Sequence, residues 1–168
     1  MTGPARSAPA PAAAARAIVS FIAANPDFAV RVHDSFARQA AMRLIGARLT
    51  EVVPGRCVVE LPVREELTQQ HGYVHGGVIG MIADSAGGYA AFTLMPADAS
   101  VLTVEYKINL LAPAAGDLLI ATGEVLKPGR ALSIVRADVV AAQGDRRTRV
   151  ATMQQTLMVM HGVSDEKI

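Results

Sequence analysis

Cysteine is nearly absent from this 168-residue chain, which carries one, Cys57. A single cysteine excludes an intramolecular disulfide, and a reducing compartment, the cytoplasm, is the expected location. Cys57 lies between Arg56 and Val58 in a strand-like run and is expected to pack, not to react. Aromatic residues are scarce too, at 4%, and neither sign of charge dominates: 16 basic against 15 acidic side chains leave +1. Nucleic-acid binding calls for a concentrated basic face with aromatics among it. Here only Arg146, Arg147 and Arg149 cluster, as a solvated turn and strand edge would, so no nucleic-acid partner is expected. Long uninterrupted apolar runs are also missing. Val78 to Met95 has the length for a bilayer, but Asp84, Ser85, Thr93 and three glycines interrupt it. It reads as a core helix, with no membrane partner. The N-terminus faintly imitates a secretory signal in Arg6, the Ala/Pro-rich stretch to Ala15, and Ala17 to Ala24. Yet Arg16 adjoins an apolar run that flows into Asn25-Pro26-Asp27, a helix start and not a cleavage site. No internal repeat is visible.

What is present suits one domain. The hydrophobic fraction is 51% and the charged fraction 18%, enough apolar material for a sizeable core. Residues 1–12 are Pro/Ala-rich and expected to be flexible. A helical extension is expected over 13–41: Ala13 to Ala24 first, then a second helix after Pro26, with Phe28, Val32, Phe36 and Ala40 at helical spacing. From Met42 the pattern changes, and 42–160 reads as the folded domain, followed by a tail over 161–168. Arg43 to Val52 reads as a strand, Pro54-Gly55 as a turn and Arg56 to Val63 as a second strand. Residues 64–75 are loop or short helix, and Gly76 to Phe92 is a long helix. Four more strands follow, at Val101 to Leu111, Leu118 to Leu126, Ala131 to Ala141 and Arg149 to Met160. Pro113 to Gly116, Pro128-Gly129 and Gly144-Asp145 separate them with good turn chemistry. This order predicts an α+β domain in which an antiparallel sheet covers the long helix. That helix carries Gly76, Gly77, Gly80, Gly87 and Gly88, each internal glycine costing about 1 kcal/mol against alanine. It cannot be stable alone and must be wrapped closely by the sheet.

The stretch from Gln69 through His71, His75, Gly76 and Gly77 to Asp84 carries the chemistry. Two glycines opening a helix leave its first N–H groups unhindered at the positive end of the helix dipole. Such donors suit a developing oxyanion. Asp84 follows about two turns later, the only carboxylate between Glu66 and Asp98. Gly80, Gly88 and Ala91 fall on its stripe and leave room beside it for a ligand or another subunit. A buried acid must be hydrogen-bonded, paired or useful, and the helix holds no Lys or Arg to pair with it.

His75-Gly76-Gly77 with Asp84 nine positions after the histidine resembles the hotdog-fold thioesterases of the PaaI-like, phenylacetate-degradation type. Gln69, the Thr103 to Pro113 stretch and Gly129-Arg130 add to the likeness, which covers about residues 42–160. The resemblance implies hydrolysis of an acyl-CoA thioester in a homodimer or homotetramer, with no cofactor and no metal. It implies that the Gly76 N–H, with Gly77, polarises the carbonyl, and that Asp84 activates water or attacks directly. Gln69 would help position the water or the carbonyl, Thr103 would hold the water, and His75 would orient the loop. The family's usual meeting of Asp84 with the Gly76 turn across a dimer interface is implied too. Some relatives carry a hydroxyl residue where this chain has Gly88, so water-holding falls to Thr103 alone. Lys127, Arg130 and Arg136 are candidates for the CoA phosphates, and Gly80, Ala83 and Gly87 hint at room for an aromatic or medium-length acyl group.

Other readings fit less well. His71 and His75 have the four-residue spacing of zinc ligands on a helix, but Gly72, Gly76 and Gly77 argue for a loop. Ala83 to Gly87 faintly resembles a nucleophile elbow around Ser85, yet no strand precedes it. A dehydratase would need His75 paired with Asp84, and a non-catalytic acyl-CoA sensor would have no use for Asp84.

Overall fold

The computed structural model describes residues 20–163 and Asp165. Helix α1 spans Phe28–Arg38, α2 spans Ala40–Ile45 and α3 spans Gly76–Phe92. The strands are β1 (Arg48–Val53), β2 (Arg56–Pro62), β3 (Ala99–Leu110), β4 (Leu118–Lys127), β5 (Leu132–Gln143) and β6 (Arg146–His161). A single 3₁₀ turn, Glu65–Leu67, precedes α3. Side chains alternate inward and outward along β4, β5 and the middle of β6, so one face of the sheet is apolar and the other polar. All strand pairs are antiparallel, in the order β1-β2-β4-β5-β6-β3. The apolar face wraps α3, the hotdog arrangement. Gly123 in β4 shows how close the wrap is: a Cβ there would run into the backbone of Ala86 and Gly87. Ile82, Ala83, Ala86, Ala90 and Phe92 are fully buried under the sheet. Among the described residues no helix is long and apolar enough to cross a membrane.

Three expectations about the N-terminal part need correction. Of the helix expected over Ala13 to Ala24, residues 13–19 lie outside the described part, and Ser20–Ala24 is not helical. Pro26 biases the preceding backbone away from helix, and the Phe21 ring lies against the Gly55 turn, drawing the segment across the β1–β2 hairpin. The second helix does not run through to Ala40; it breaks at Gln39, whose ψ of 101° is extended. Arg43 to Ala47 is not strand. Ala40–Ile45 is helical, with Met42 and Ile45 buried three residues apart, and Gly46 at φ 78° terminates the helix in the left-handed conformation. The boundary expected at residue 42 thus falls within α2.

Arg31 fastens α1 to the C-terminus of α3. Its Nη1 donates to the carbonyls of Pro96 (2.7 Å), Ala97 (3.1 Å) and Ala99 (3.4 Å), and its Nη2 to those of Phe92 (3.2 Å) and Met95 (3.3 Å). The guanidinium also stacks 4.0 Å from the centre of the Phe92 ring. A cation is favoured at this helix end, where carbonyls lack intrahelical partners. Burial lowers the Arg31 pKa, opposed by Asp165 and Asp98. Arg31→Met is expected to lower stability by about 2–4 kcal/mol, because several carbonyls lose their donor at once. Denaturant unfolding measures this, with Arg31→Lys recovering little since one ammonium cannot span the set. An unchanged midpoint would mean that water replaces the guanidinium at no cost.

Candidate active site

The loop before α3 is a small closed turn. Gln69 N–H donates to the Tyr73 carbonyl (2.8 Å) and Gly72 N–H to that of Gln69 (2.9 Å), with Gly72 at φ 79°. His75 N–H then donates to the Leu67 carbonyl (2.9 Å), placing His75 as the N-cap of α3. Its Nδ1 accepts the Gly77 N–H at 2.9 Å. Through this bond His75 holds the helix tip. The same bond corrects the expectation for Gly77, whose N–H is occupied by the cap. The N–H of Gly76 has no acceptor among the described residues, and it sits at the positive end of α3. The Gln69 Oε1 accepts the His71 N–H, which leaves the amide NH2 without an acceptor among the described residues.

Asp84 stands on the outer face of α3, half-buried. Its Oδ1 accepts from the Thr103 hydroxyl (2.8 Å) and from Gln155 Nε2 (2.9 Å). Thr103 reaches it through a bulge: the β3–β6 register shifts between Thr103 and Glu105, and Val104 is the extra residue. Bulges of this kind re-aim side chains near active sites. Asp84, Gly88 and Thr103 together line an open cleft of about 780 Å³. Its far wall is the α1–α2 elbow, with Ser35, Gln39 and Arg43 facing the Tyr89 side of α3. Ser35 Oγ lies 3.1 Å from the Tyr89 hydroxyl, and the Phe36 and Tyr89 rings meet edge-on at 5.6 Å. Burial pushes the Tyr89 phenol up to about 12 against the opposing bond to Ser35. At Gly88 nothing lies within 4 Å of where a Cβ would stand, so the floor of the cleft is open there.

The residues expected to act together therefore form two groups. Asp84, Thr103 and Gly88 share the cleft; Gln69, His75, Gly76 and Gly77 gather at the tip of α3. Eight residues of helix separate Asp84 from Gly76, about 12 Å along the axis. Lys127 is exposed at the end of β4, and Arg130 is exposed on the following turn. Arg130 shares a pocket with Ala91 and Leu94, and Ala91 is seven residues of helix, about 10 Å, beyond Asp84. Arg136 does not join the cleft of its own chain. Val135 faces Gly87 of α3, so its neighbour points to the other side of the sheet. There it pairs with Asp138 (3.1 Å) and Glu124 (3.6 Å), turned away from the cleft. Ser85 is helical and donates to Gln39 Oε1 at 3.4 Å. Cys57 is buried in β2, and burial pushes its thiol up to about 12, far from a thiolate near neutral pH.

Gln155 was missed in the sequence, although a signal existed. Ala151, Met153, Leu157 and Val159 are the inward residues of β6, and position 155 falls in the same alternation. A polar side chain at an inward slot needs a partner.

Residues 71–148 match the Thioesterase superfamily. The chain is 33% identical over 90 residues to 1,4-dihydroxy-2-naphthoyl-CoA hydrolase of Listeria monocytogenes, covering 54% of this chain and 73% of the relative. It is 28% identical over 113 residues to acyl-coenzyme A thioesterase PaaI of Escherichia coli, covering 66% and 78%. Among solved structures, a thioesterase family protein from Silicibacter pomeroyi superposes with a TM-score of 0.79 at 46% identity, over 80% of this chain and 99% of the other. An acid held at mid-helix, an open amide at the helix tip and these likenesses converge: the chain belongs to the thioesterase superfamily of hotdog-fold thioester hydrolases.

Proposed function

We propose that this chain hydrolyses an acyl-CoA with a small aromatic or medium-length acyl group, as a homodimer or homotetramer in the cytoplasm. The observation that carries the reading is Asp84, held at Oδ1 by Thr103 and Gln155 and lining an open cleft on α3. Asp84 takes a proton from water, whose oxygen bonds to the carbonyl carbon. The C–S bond breaks, the thiolate takes up that proton, and the products are the free acid and the CoA thiol. Direct attack by Asp84 would give a mixed anhydride that water then opens, with the same products. The Gly76 N–H receives the carbonyl oxygen as it gains charge, and the Gln69 amide NH2, in the loop before α3, is left to assist. His75 keeps the tip in shape.

One thioester cannot bridge the roughly 12 Å between Asp84 and Gly76 of one chain, so the reading requires a second copy. The exposed apolar side chains of β3, including Leu102, Val104, Tyr106 and Leu110, support it. Among the described residues β3 is an end strand of the sheet with one edge unpaired, and such an edge is a template for another strand. Lys127 and Arg130, exposed on the β4–β5 turn, are the cations left for the CoA phosphates.

Hydroxyl and amide groups from Ser35, Gln39 and Tyr89 at the cleft favour an aromatic acyl group over an alkyl chain. The dihydroxynaphthoyl substrate in the name of the Listeria relative points the same way. Thiol release from benzoyl-, phenylacetyl-, hydroxybenzoyl- and octanoyl-CoA tests it, with kcat/KM expected to be higher for the aromatic thioesters. An octanoyl preference would overturn the acyl assignment alone. Hydration of crotonyl-CoA without thiol release from any thioester would overturn the hydrolase reading.

A further inference from the structure

Gln155 is only 1% exposed, yet it is a polar side chain in the apolar layer between β6 and α3. Its Nε2 donates to Asp84 Oδ1 at 2.9 Å and lies 3.4 Å from the Asp84 carbonyl and 3.5 Å from Met153 Sδ. Its Oε1 is buried without a hydrogen-bond partner among the described residues and rests on the Cα of Gly87, where any Cβ would collide with it. Rotating the amide by half a turn would set Oε1 against the carboxylate oxygen and leave Nε2 facing Gly87 with no acceptor. The orientation shown is therefore the one in which the amide donates to Asp84. An unpartnered buried oxygen is costly, as is glycine within a helix. An apolar side chain at 155 would remove the first cost. The chain keeps an arrangement whose one gain is a second donor to Asp84.

We propose that Gln155 is a positioning residue for the hydrolysis: with Thr103 it anchors Oδ1 of Asp84 and reserves Oδ2 for the reacting water or carbonyl. Two donors from different strands, Thr103 on β3 and Gln155 on β6, converge on one oxygen. Among the described residues no donor reaches Oδ2. The carboxylate plane is thereby set, and the same oxygen faces the cleft in every turnover. The proposal rests on Asp84 being the catalytic carboxylate.

Gln155→Met, similar in length but unable to donate, separates the two claims. KM should stay within about twofold while kcat falls by roughly 10²-fold, as a slightly misplaced reacting group would cause. Because Thr103 acts on the same oxygen, Gln155→Met with Thr103→Val should lose less than the product of the two single losses. Gln155→Glu provides the second readout and preserves shape if the apolar variant fails to fold. A carboxyl at this place donates only when protonated, and Asp84 beside it favours that form. The kcat of Gln155→Glu relative to wild type should therefore rise as pH falls from about 8 to about 6. Wild-type kcat in Gln155→Met, or a pH-independent ratio for Gln155→Glu, would overturn the positioning role. Failure of Asp84→Asn to lose activity would instead overturn the assignment of the carboxylate itself.

Discussion

Asp84→Asn is expected to lower kcat/KM for thiol release by roughly 10²–10⁴-fold, the contribution typical of a positioned general base. The size of this loss can be interpreted because the substitution is nearly silent elsewhere. Asparagine keeps the shape of the side chain, and its carbonyl oxygen can still accept from Thr103 and Gln155, the two donors now at 2.8 and 2.9 Å. Stability should change little, which thermal unfolding can verify before kinetics are read. The loss should fall on kcat, because Asp84 acts on the water or the carbonyl and not on the CoA moiety. Turnover equal to wild type would remove Asp84 from the chemistry, whatever the family likeness.

The second large effect concerns the amide at the other end of α3. Gly76 is the first helical residue, the position at which proline is best tolerated, and His75 already has the extended backbone (φ −61°, ψ 136°) that a following proline requires. Gly76→Pro therefore deletes one N–H with little harm to the helix. Loss of one oxyanion donor should reduce kcat by about 10²–10³-fold. Gly76→Ala is the control, since it retains the N–H. Its Cβ would approach only Leu110 Cδ1, at 2.9 Å, the far end of a flexible side chain. If each site joins Asp84 of one copy to Gly76 of the other, two dead variants should complement. A mixed dimer of Asp84→Asn and Gly76→Pro has one site with both defects and one with neither. Co-refolding equal amounts should restore roughly a quarter of wild-type activity, as two-fold symmetry requires. No recovery, with mixed dimers demonstrated by mass, would rule out a shared site.

Much of this architecture is written in local pattern. Strands β3 to β6 follow from alternation and turn residues, and α3 begins and ends where the glycine pair after His75 and the run to Phe92 indicate. Asp84 stands out because it is the one acid in an apolar helix. The α2 segment was misread because six residues around Met42 suit either period, and Gly46 acts as a helix terminator visible only through its φ of 78°. The side on which Arg136 lies is legible in the same pattern: Val135, Ala137 and Val139 mark the inward face of β5, and Arg136 lies between two of them. Gln155 was legible in the same way, as a polar residue at an inward position of β6.

By itself the sequence determined the period of each element, the acid at mid-helix and the capped, glycine-opened helix tip, because these depend on residues a few positions apart. Only the tertiary structure decided which groups hold Asp84, since Thr103 and Gln155 lie 19 and 71 residues away along the chain. It alone set the α1–α2 elbow against the cleft, through Arg31 and the Ser35–Tyr89 contact. Such meetings follow from the order in which strands pair and from which face the wrapped helix presents. Those are properties of the whole sheet, carried by no single segment.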